Sequence, residues 1–195
     1  MAGEDRGTAM AVSLARTARS FGVSPEGIAL LGRAHALAMK PRVAAFDDDH
    51  HPLYLHPGRT VLVLLRDVAC VDGAVLAAAA LAESEDAALR VTDASVRADL
   101  GARVADLVRA VPSPGSRSLS EELLGVGESV CLVALAERLD HLRHAHLRDA
   151  DEAWRRSIHA QAEAVYLPMA ERTHPRLAQR YRHWCRTFAR RLARS

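Results

Sequence analysis

An acid and two histidines recur at helical spacing late in the chain. Glu137, His141 and His144 stand at positions i, i+4 and i+7, so a helix would place them on one face. A carboxylate and two imidazoles on one face can bind a divalent metal, or grip a phosphorylated ligand together with Arg138 and Arg143. The same spacing fits a solvated polar face, and it does not decide between these interpretations.

Two further segments carry acids or histidines. Glu83, Glu85 and Asp86 end an Ala-rich stretch that the sequence predicts to be helical. Acids are unfavourable at a helix C-terminus because the helix dipole is negative there, so they indicate a solvated end or a nearby cation. The segment 47–56 combines three aspartates with three histidines, ligands that suit manganese, iron or zinc. A surface turn explains the same composition.

Helices must position these residues. The 195-residue chain is 49% hydrophobic and only 4% aromatic, and Ala and Leu dominate it. This composition favours helix, because Ala and Leu lose little entropy there, and the length suits one core. We therefore expect an all-α fold in a single helical domain over residues 23–195, behind a loose or weakly helical lead over residues 1–22.

The predicted helices follow capping signals and apolar periodicity. Ser24-Pro25 begins one that runs to about Met39, and a loop follows to Pro57. An internal loop is predicted over residues 110–119, and a basic C-terminal helix over residues 175–195. The remaining helices are expected at about 56–65, 73–85, 93–108, 120–149 and 151–173.

Overall charge and cysteine usage suggest a cytoplasmic protein. The formal net charge is +2, which gives no general argument for binding nucleic acid or a membrane surface. No apolar run reaches the roughly 20 residues that span a bilayer. The three cysteines are scattered, as reduced thiols are. We expect neither a nucleic-acid nor a membrane partner, and the oligomeric state stays open.

Four segments, in order, resemble the hydrolase domain of the RelA/SpoT family, the guanosine tetraphosphate hydrolases of the HD superfamily. Their order and separations agree over about residues 30–175, and the resemblance implies an HD-domain-like helical bundle. The matches are PLYLHP at 52–57 with PY-x-x-HP, AAALAESED at 78–86 with AALLHDxxED, LAERLDHLR at 135–143 with LADRLHNMR, and AVYLPMAER at 164–172 with xIYAPLAxR.

The resemblance implies a divalent ion, usually Mn²⁺, held by a His, a His-Asp pair and a distant Asp. His56 matches the first ligand, and Ala82 stands where the His of the pair is expected. Glu83 and Glu137 replace the two aspartates, and each moves its carboxylate about 1.5 Å farther from the backbone. A methyl group cannot coordinate, so we expect either a repaired metal site or no metal. The histidines that could fill the place are His50, His51 and His141.

The resemblance also implies roles for other residues. Glu85 and Asp86 fall at or next to a Glu-Asp pair that assists hydrolysis. Lys40 and Arg42 represent the basic segment that contacts the base, and His141 stands where an Asn contacts substrate. With Arg138 and His144 from the late cluster, these residues form the expected substrate-binding set.

Three functions remain open. The first is a metal-dependent phosphohydrolase acting on a nucleotide or another phosphorylated small molecule. The second is an inactive pseudo-hydrolase that binds a nucleotide or a protein partner. The third is an interaction protein that docks through the arginines of the last helix, whose opposing stripe of Tyr181, Trp184, Phe188 and Leu192 is typical of core packing.

Overall fold

The computed structural model describes residues 6–112, 127–147 and 150–193, which are helical and contain no strand. This confirms the predicted all-α class. None of the helices in these ranges combines the length and apolar character needed to cross a bilayer. The helices are α1 Arg6–Ser20, α2 Pro25–Ala45, α3 His56–Val63, α4 Gly73–Leu81, α5 Asp93–Leu100, α6 Ala102–Ala110, α7 Glu128–His144, α8 Glu152–Gln161, α9 Leu167–Thr173 and α10 Pro175–Leu192. π-helical turns extend α3 over Leu64–Val68 and join α8 to α9 over Ala162–Tyr166.

Helix α7 lies at the centre of the molecule. Every residue from Val130 to Leu142 is buried, and the helix packs against α3, α4, α6, α9 and α10. Four of these buried residues, Glu137, Arg138, Asp140 and His141, are ionisable. Buried charges are costly unless they are paired, so neighbouring helices must supply partners for them.

Helices α2 and α4 pack closely through glycines. A Cβ built on Gly73 would meet the Cα of Gly27 at 2.5 Å, so neither helix leaves room for a side chain there. The side chain of Asp72 caps α4 by accepting from the N–H groups of Ala74 and Val75. Helix α4 ends at Leu81, four residues before the predicted Glu85, and residues 83–86 lie in the following loop.

Helix α2 begins as predicted, with the Ser24 hydroxyl accepting from the N–H of Gly27 at 3.1 Å. The predicted end at Met39 is wrong, because the helix continues through Pro41 to Ala45. Proline removes one helical hydrogen bond, but the next residue is anchored from outside the helix. Arg42 is 2% exposed and donates to Leu53 O and to Glu83.

Other sequence boundaries shift. Residues 6–20 form a 15-residue helix rather than a loose lead, because Leu14 and Ala18 are buried in the core. The helix predicted over residues 93–108 divides at Gly101, whose φ of +90° interrupts it. The predicted loop at 110–119 lies largely outside the described residues. The C-terminal helix is confirmed as Pro175–Leu192.

Candidate functional site

Buried His56 and Asp140 form one group with half-buried Arg59 where α3 meets α7. His56 is fully buried, and its Nδ1 lies 2.8 Å from Oδ2 of Asp140. Arg59, one turn along α3, donates from Nε to Oδ1 of Asp140 at 2.9 Å. Burial opposes ionisation of Asp140, but His56 and Arg59 outweigh it and hold the pKa of this carboxyl well below its usual range. The ionised carboxylate accepts a hydrogen bond, so Nδ1 of His56 carries the hydrogen.

The other nitrogen of His56, Nε2, is not engaged by Asp140. It is buried and has no hydrogen-bond partner within the ranges that the structure describes. His56, Glu137 and His141 each offer one ligand atom, and these three atoms lie within 4.8 Å of one another. The imidazole rings of His56 and His141 have centroids 4.3 Å apart. Two imidazoles and a carboxylate thus form a buried cluster able to hold a metal ion.

Glu137 is positioned by the loop after α4. Its Oε1 accepts from the backbone N–H of Ser84 at 2.9 Å and from the Ser84 hydroxyl at 2.5 Å. Burial disfavours the charge on Glu137, but Arg138 and His141 outweigh burial and lower the pKa of this carboxyl far below its usual range. Glu137 is therefore an anion, the form that a metal ligand requires.

His141 is surrounded by carboxylates. Its Nε2 lies 3.0 Å from Glu137 Oε1 and 3.5 Å from Glu83 Oε1, distances of ion pairs with poor hydrogen-bond alignment. Its Nδ1 lies 3.4 Å from Glu85 Oε2. Burial disfavours a charged imidazole, but these acids, led by Glu137, raise the pKa of His141 to about 9. Without a metal, His141 is a cation at neutral pH.

Glu83 is held mainly by Arg42 and by its own loop. Its Oε2 accepts from Arg42 at 2.8 Å, while Oε1 accepts from the backbone N–H groups of Glu85 and Asp86, each at 3.1 Å. Burial opposes ionisation, but His141 and His56 outweigh it and lower the pKa of Glu83 to about 2. Glu83 lies next to the cluster of His56, Glu137 and His141, but both of its carboxylate oxygens already accept hydrogen bonds, from Arg42 and from the loop backbone.

Arg138 ties the same loop to α7. It donates to Glu85 Oε1 at 2.5 Å and to the Ser84 hydroxyl at 2.6 Å. Its guanidinium lies over the ring of Tyr166, 5.7 Å from the centroid. The predicted residues Arg42, Glu83, Glu85, Arg138 and His141 therefore meet around Glu137 in one network.

Other predicted residues lie apart from this network. The His50 side chain is 77% exposed beside Asp49, and the His51 ring stacks on Phe46 with centroids 3.9 Å apart. Lys40 is exposed at the outer side of α2. The structure thus brings His141, rather than His50 or His51, beside His56 and Glu137.

Asp86, His144 and Ala82 have local roles in the fold. Asp86 caps a short 3₁₀ turn by accepting from the N–H of Ala88. His144 is half-buried, with Nδ1 2.8 Å from the backbone oxygen of Asp140. Ala82 is 2% exposed and belongs to the hydrophobic core.

Sequence reasoning missed Asp140, Arg59 and Ser84. A signal existed for two of them, because Arg59 follows His56 by three residues on one helix and Asp140 follows Glu137 by three. No sequence pattern identifies Ser84, because it lies 53 positions before Glu137 and contacts it only in the folded chain.

Two cavities border the network without exposing its centre. One, of about 250 Å³, is lined by Glu83, Ser84 and Arg90 together with apolar side chains of α5 and α6. The other, of about 380 Å³, reaches Arg59 and Asp140. The cluster itself is nearly closed, because His56, Glu137 and His141 are each no more than 5% exposed.

No protein-family model matches the sequence, and a search of curated proteins finds no significant match. The likeness to HD hydrolases therefore depends on the four sequence segments.

Proposed function

We propose that this chain is a divergent metal-dependent phosphohydrolase of the HD type, with a divalent cation held by His56, Glu137 and His141. The observation that carries the proposal is the buried Nε2 of His56, which has no hydrogen-bond partner among the described residues and lies beside a carboxylate and a second imidazole. The substrate class is a phosphorylated small molecule, for which the resemblance suggests guanosine tetraphosphate.

The donor set fits this role. Two histidines and a glutamate are the ligands of one class of catalytic zinc site, where the fourth position stays open for water or substrate. When bound, the cation would polarise a phosphoryl oxygen and lower the pKa of a coordinated water. The three donor atoms lie within 4.8 Å of one another, and a shared cation would lie about 2.0–2.2 Å from each of them.

The surrounding residues hold His56 and Glu137 in position. Asp140, itself held by Arg59, fixes the imidazole of His56 through Nδ1, the usual arrangement of a metal-bound histidine and its supporting carboxylate. Ser84 orients Glu137. Deprotonation of His141 frees its nitrogen for the cation, so metal binding releases a proton.

The cavity beside Glu83 and Ser84 is the proposed substrate entrance. Arg90 lies at this cavity and donates to the backbone oxygens of Glu83 and Ser84. Its positive charge suits a phosphate, while Val91 and Val108 offer apolar surface to the rest of the substrate.

A second candidate is a metal-free pseudo-hydrolase that binds a ligand without turnover. The observation that favours it is the balance of buried charge. Arg42 pairs with Glu83, Arg59 pairs with Asp140, and Glu137 lies beside both Arg138 and protonated His141. A network neutralised in this way is stable without a metal.

Metal content separates the two candidates. Protein purified without chelator, then titrated with Mn²⁺, should bind one ion per chain, and His56→Ala should abolish this binding. The exposed cluster of Asp48, Asp49 and His50 supplies the matched control, since His50→Ala should leave the stoichiometry unchanged. Manganese-dependent release of pyrophosphate from guanosine tetraphosphate would support the hydrolase. Absence of metal binding in the unaltered chain would contradict it and favour the pseudo-hydrolase.

A further inference from the structure

Positive charge is concentrated on one face of the molecule, around α10. Three adjoining cavities of about 290, 380 and 360 Å³ share Arg180, and each shares a further lining residue with another. Seven arginines and two aspartates line them, and no lysine or glutamate does. With histidines neutral, this surface carries +5, whereas the whole chain carries only +2. The rest of the protein is therefore net negative.

The two aspartates of this surface serve to position arginines. Asp67, buried in the π-helical turn after α3, accepts from Nε and Nη2 of Arg180 at 3.0 and 2.7 Å. Arg143 lies 3.7 Å from the other oxygen of Asp67. Asp140 binds Arg59 in the same way. Helices α3, α7 and α10 thus present their guanidinium groups along one continuous surface.

Three other arginines of the surface are exposed to solvent. Arg66, Arg176 and Arg186 are exposed, and none forms an ion pair within the part of the chain that the structure describes. Arg176 and Arg191 mark the two ends of the surface along α10. They are 15 residues apart, which corresponds to about 22 Å at the helical rise.

We propose that this surface, which we call the α10 basic surface, binds the phosphate backbone of nucleic acid. Along one strand, phosphates follow at about 3.4 Å in a duplex, so 22 Å accommodates roughly six of them. That length exceeds what one small phosphorylated molecule occupies. Guanidinium groups bind phosphate with paired hydrogen bonds, and such backbone contacts do not depend on base sequence.

This proposal does not require a metal at His56, Glu137 and His141, although Arg59 and Asp140 belong both to this surface and to the support of His56. The overall net charge of +2 led us to expect no nucleic-acid partner. The structure places positive charge on one face and leaves the rest of the protein net negative, and the total charge does not show this separation. Nucleic acid is the abundant ligand with phosphates at this repeat, and single-stranded RNA is the probe.

The test is fluorescence anisotropy of the full chain with a labelled 12-nucleotide single-stranded RNA. If four arginines neutralise phosphates, log Kobs should fall with log salt at a slope of about −3. Arg176→Glu with Arg186→Glu should weaken binding at least tenfold. The matched control, Arg16→Glu with Arg33→Glu, makes the same change in net charge at exposed positions of α1 and α2 and should change Kd less than threefold. Far-UV circular dichroism checks the fold of both variants.

Three results would overturn the proposal. They are no binding of RNA at low salt, an equal loss in the control variant, and displacement of RNA by inorganic tripolyphosphate at the same phosphate concentration. The last would identify a small polyphosphate as the ligand. Weak competition by tripolyphosphate, together with loss only in the α10 variant, supports nucleic acid.

Discussion

His56 donates from Nδ1 to Oδ2 of Asp140 over 2.8 Å, and this contact between α3 and α7 leaves Nε2 as the nitrogen available to a metal ion. Asp140→Asn removes the charge that orders the imidazole. Loss of such a supporting carboxylate typically lowers metal affinity about 10–100-fold, and we expect a reduction of that size for Mn²⁺ in calorimetric titration.

Asp67→Asn is the matched control for this substitution. Asp67 is also buried and also pairs with an arginine, but its ion pairs within the described residues are with Arg143 and Arg180, not with the cluster of His56, Glu137 and His141. Its substitution should leave manganese affinity unchanged. Equal losses from both variants would mean that general destabilisation, not the support of His56, explains the effect.

Glu137→Gln should destabilise the protein as well as remove a ligand. The glutamine keeps the size of the side chain but leaves Arg138 and His141 without their buried anion. Removing one partner of a buried pair costs about 3–5 kcal/mol in the free energy of unfolding. Urea denaturation without metal measures this loss, and a decrease below about 1 kcal/mol would show that Glu83 and Glu85 compensate.

Stability without metal should fall toward alkaline pH. The pKa of His141 is about 9 in the folded chain against 6.5 for a free histidine, so protonation favours the folded state. The stability from this group is complete below pH 6.5 and is lost as the pH rises through about 9. Denaturation midpoints across this range should decline in the unaltered chain and decline less in His141→Gln. Identical profiles would contradict a charged His141.

Acid should destabilise the protein through other groups. Burial, aided by Arg42, lowers the pKa of His35 to about 4. The contribution of neutral His35 to the stability of the folded protein is therefore complete above pH 6.5 and is lost as the pH falls toward 4. Glu83, with a pKa of about 2, contributes stability above about pH 4.5 that is lost as the pH falls through about 2. His35→Gln should flatten the upper part of this acid limb, between pH 6.5 and 4, in the same denaturation series.

Manganese affinity should rise with pH over the same range in which the metal-free protein loses stability. The cation and a proton compete for His141, so each unit of pH below about 9 should weaken binding up to tenfold. Titrations at pH 6.5, 7.5 and 8.5 measure this slope. A pH-independent affinity would remove His141 from the proposed ligand set.

The sequence predicted the helices more fully than their ends. Periodicity identifies α2, but the persistence of this helix through Pro41 depends on Arg42 reaching Leu53 and Glu83, contacts that no local pattern contains. The early end of α4 also depends on tertiary contacts that no local pattern contains. Residues 83–86 leave the helix because Ser84 binds Glu137 and Glu83 binds Arg42 across the fold.

Part of the membership of the candidate site was predictable, but the pairing of its residues was not. Spacing and resemblance selected His56, Glu83, Glu137 and His141, and the structure places them together. Nothing in the spacing shows that Glu83 is engaged by Arg42 whereas Nε2 of His56 has no hydrogen-bond partner among the described residues. These differences depend on contacts between residues that are far apart in the sequence. Arg42 and Glu83 are separated by 41 positions, and His56 and Asp140 by 84, so only tertiary packing brings them together.

Gly73→Ala tests the close packing that holds α4 beneath the site. The added methyl carbon would lie 2.5 Å from Cα of Gly27, a backbone atom that cannot turn aside as a side chain can. Forcing α2 and α4 apart should cost about 1–3 kcal/mol in the free energy of unfolding. Gly32→Ala is the matched control within α2, because a Cβ added there would meet nothing within 4 Å, and it should stabilise the helix by about 0.5–1 kcal/mol. Urea denaturation of the two variants should therefore shift in opposite directions, and equal shifts would contradict a glycine contact between these helices.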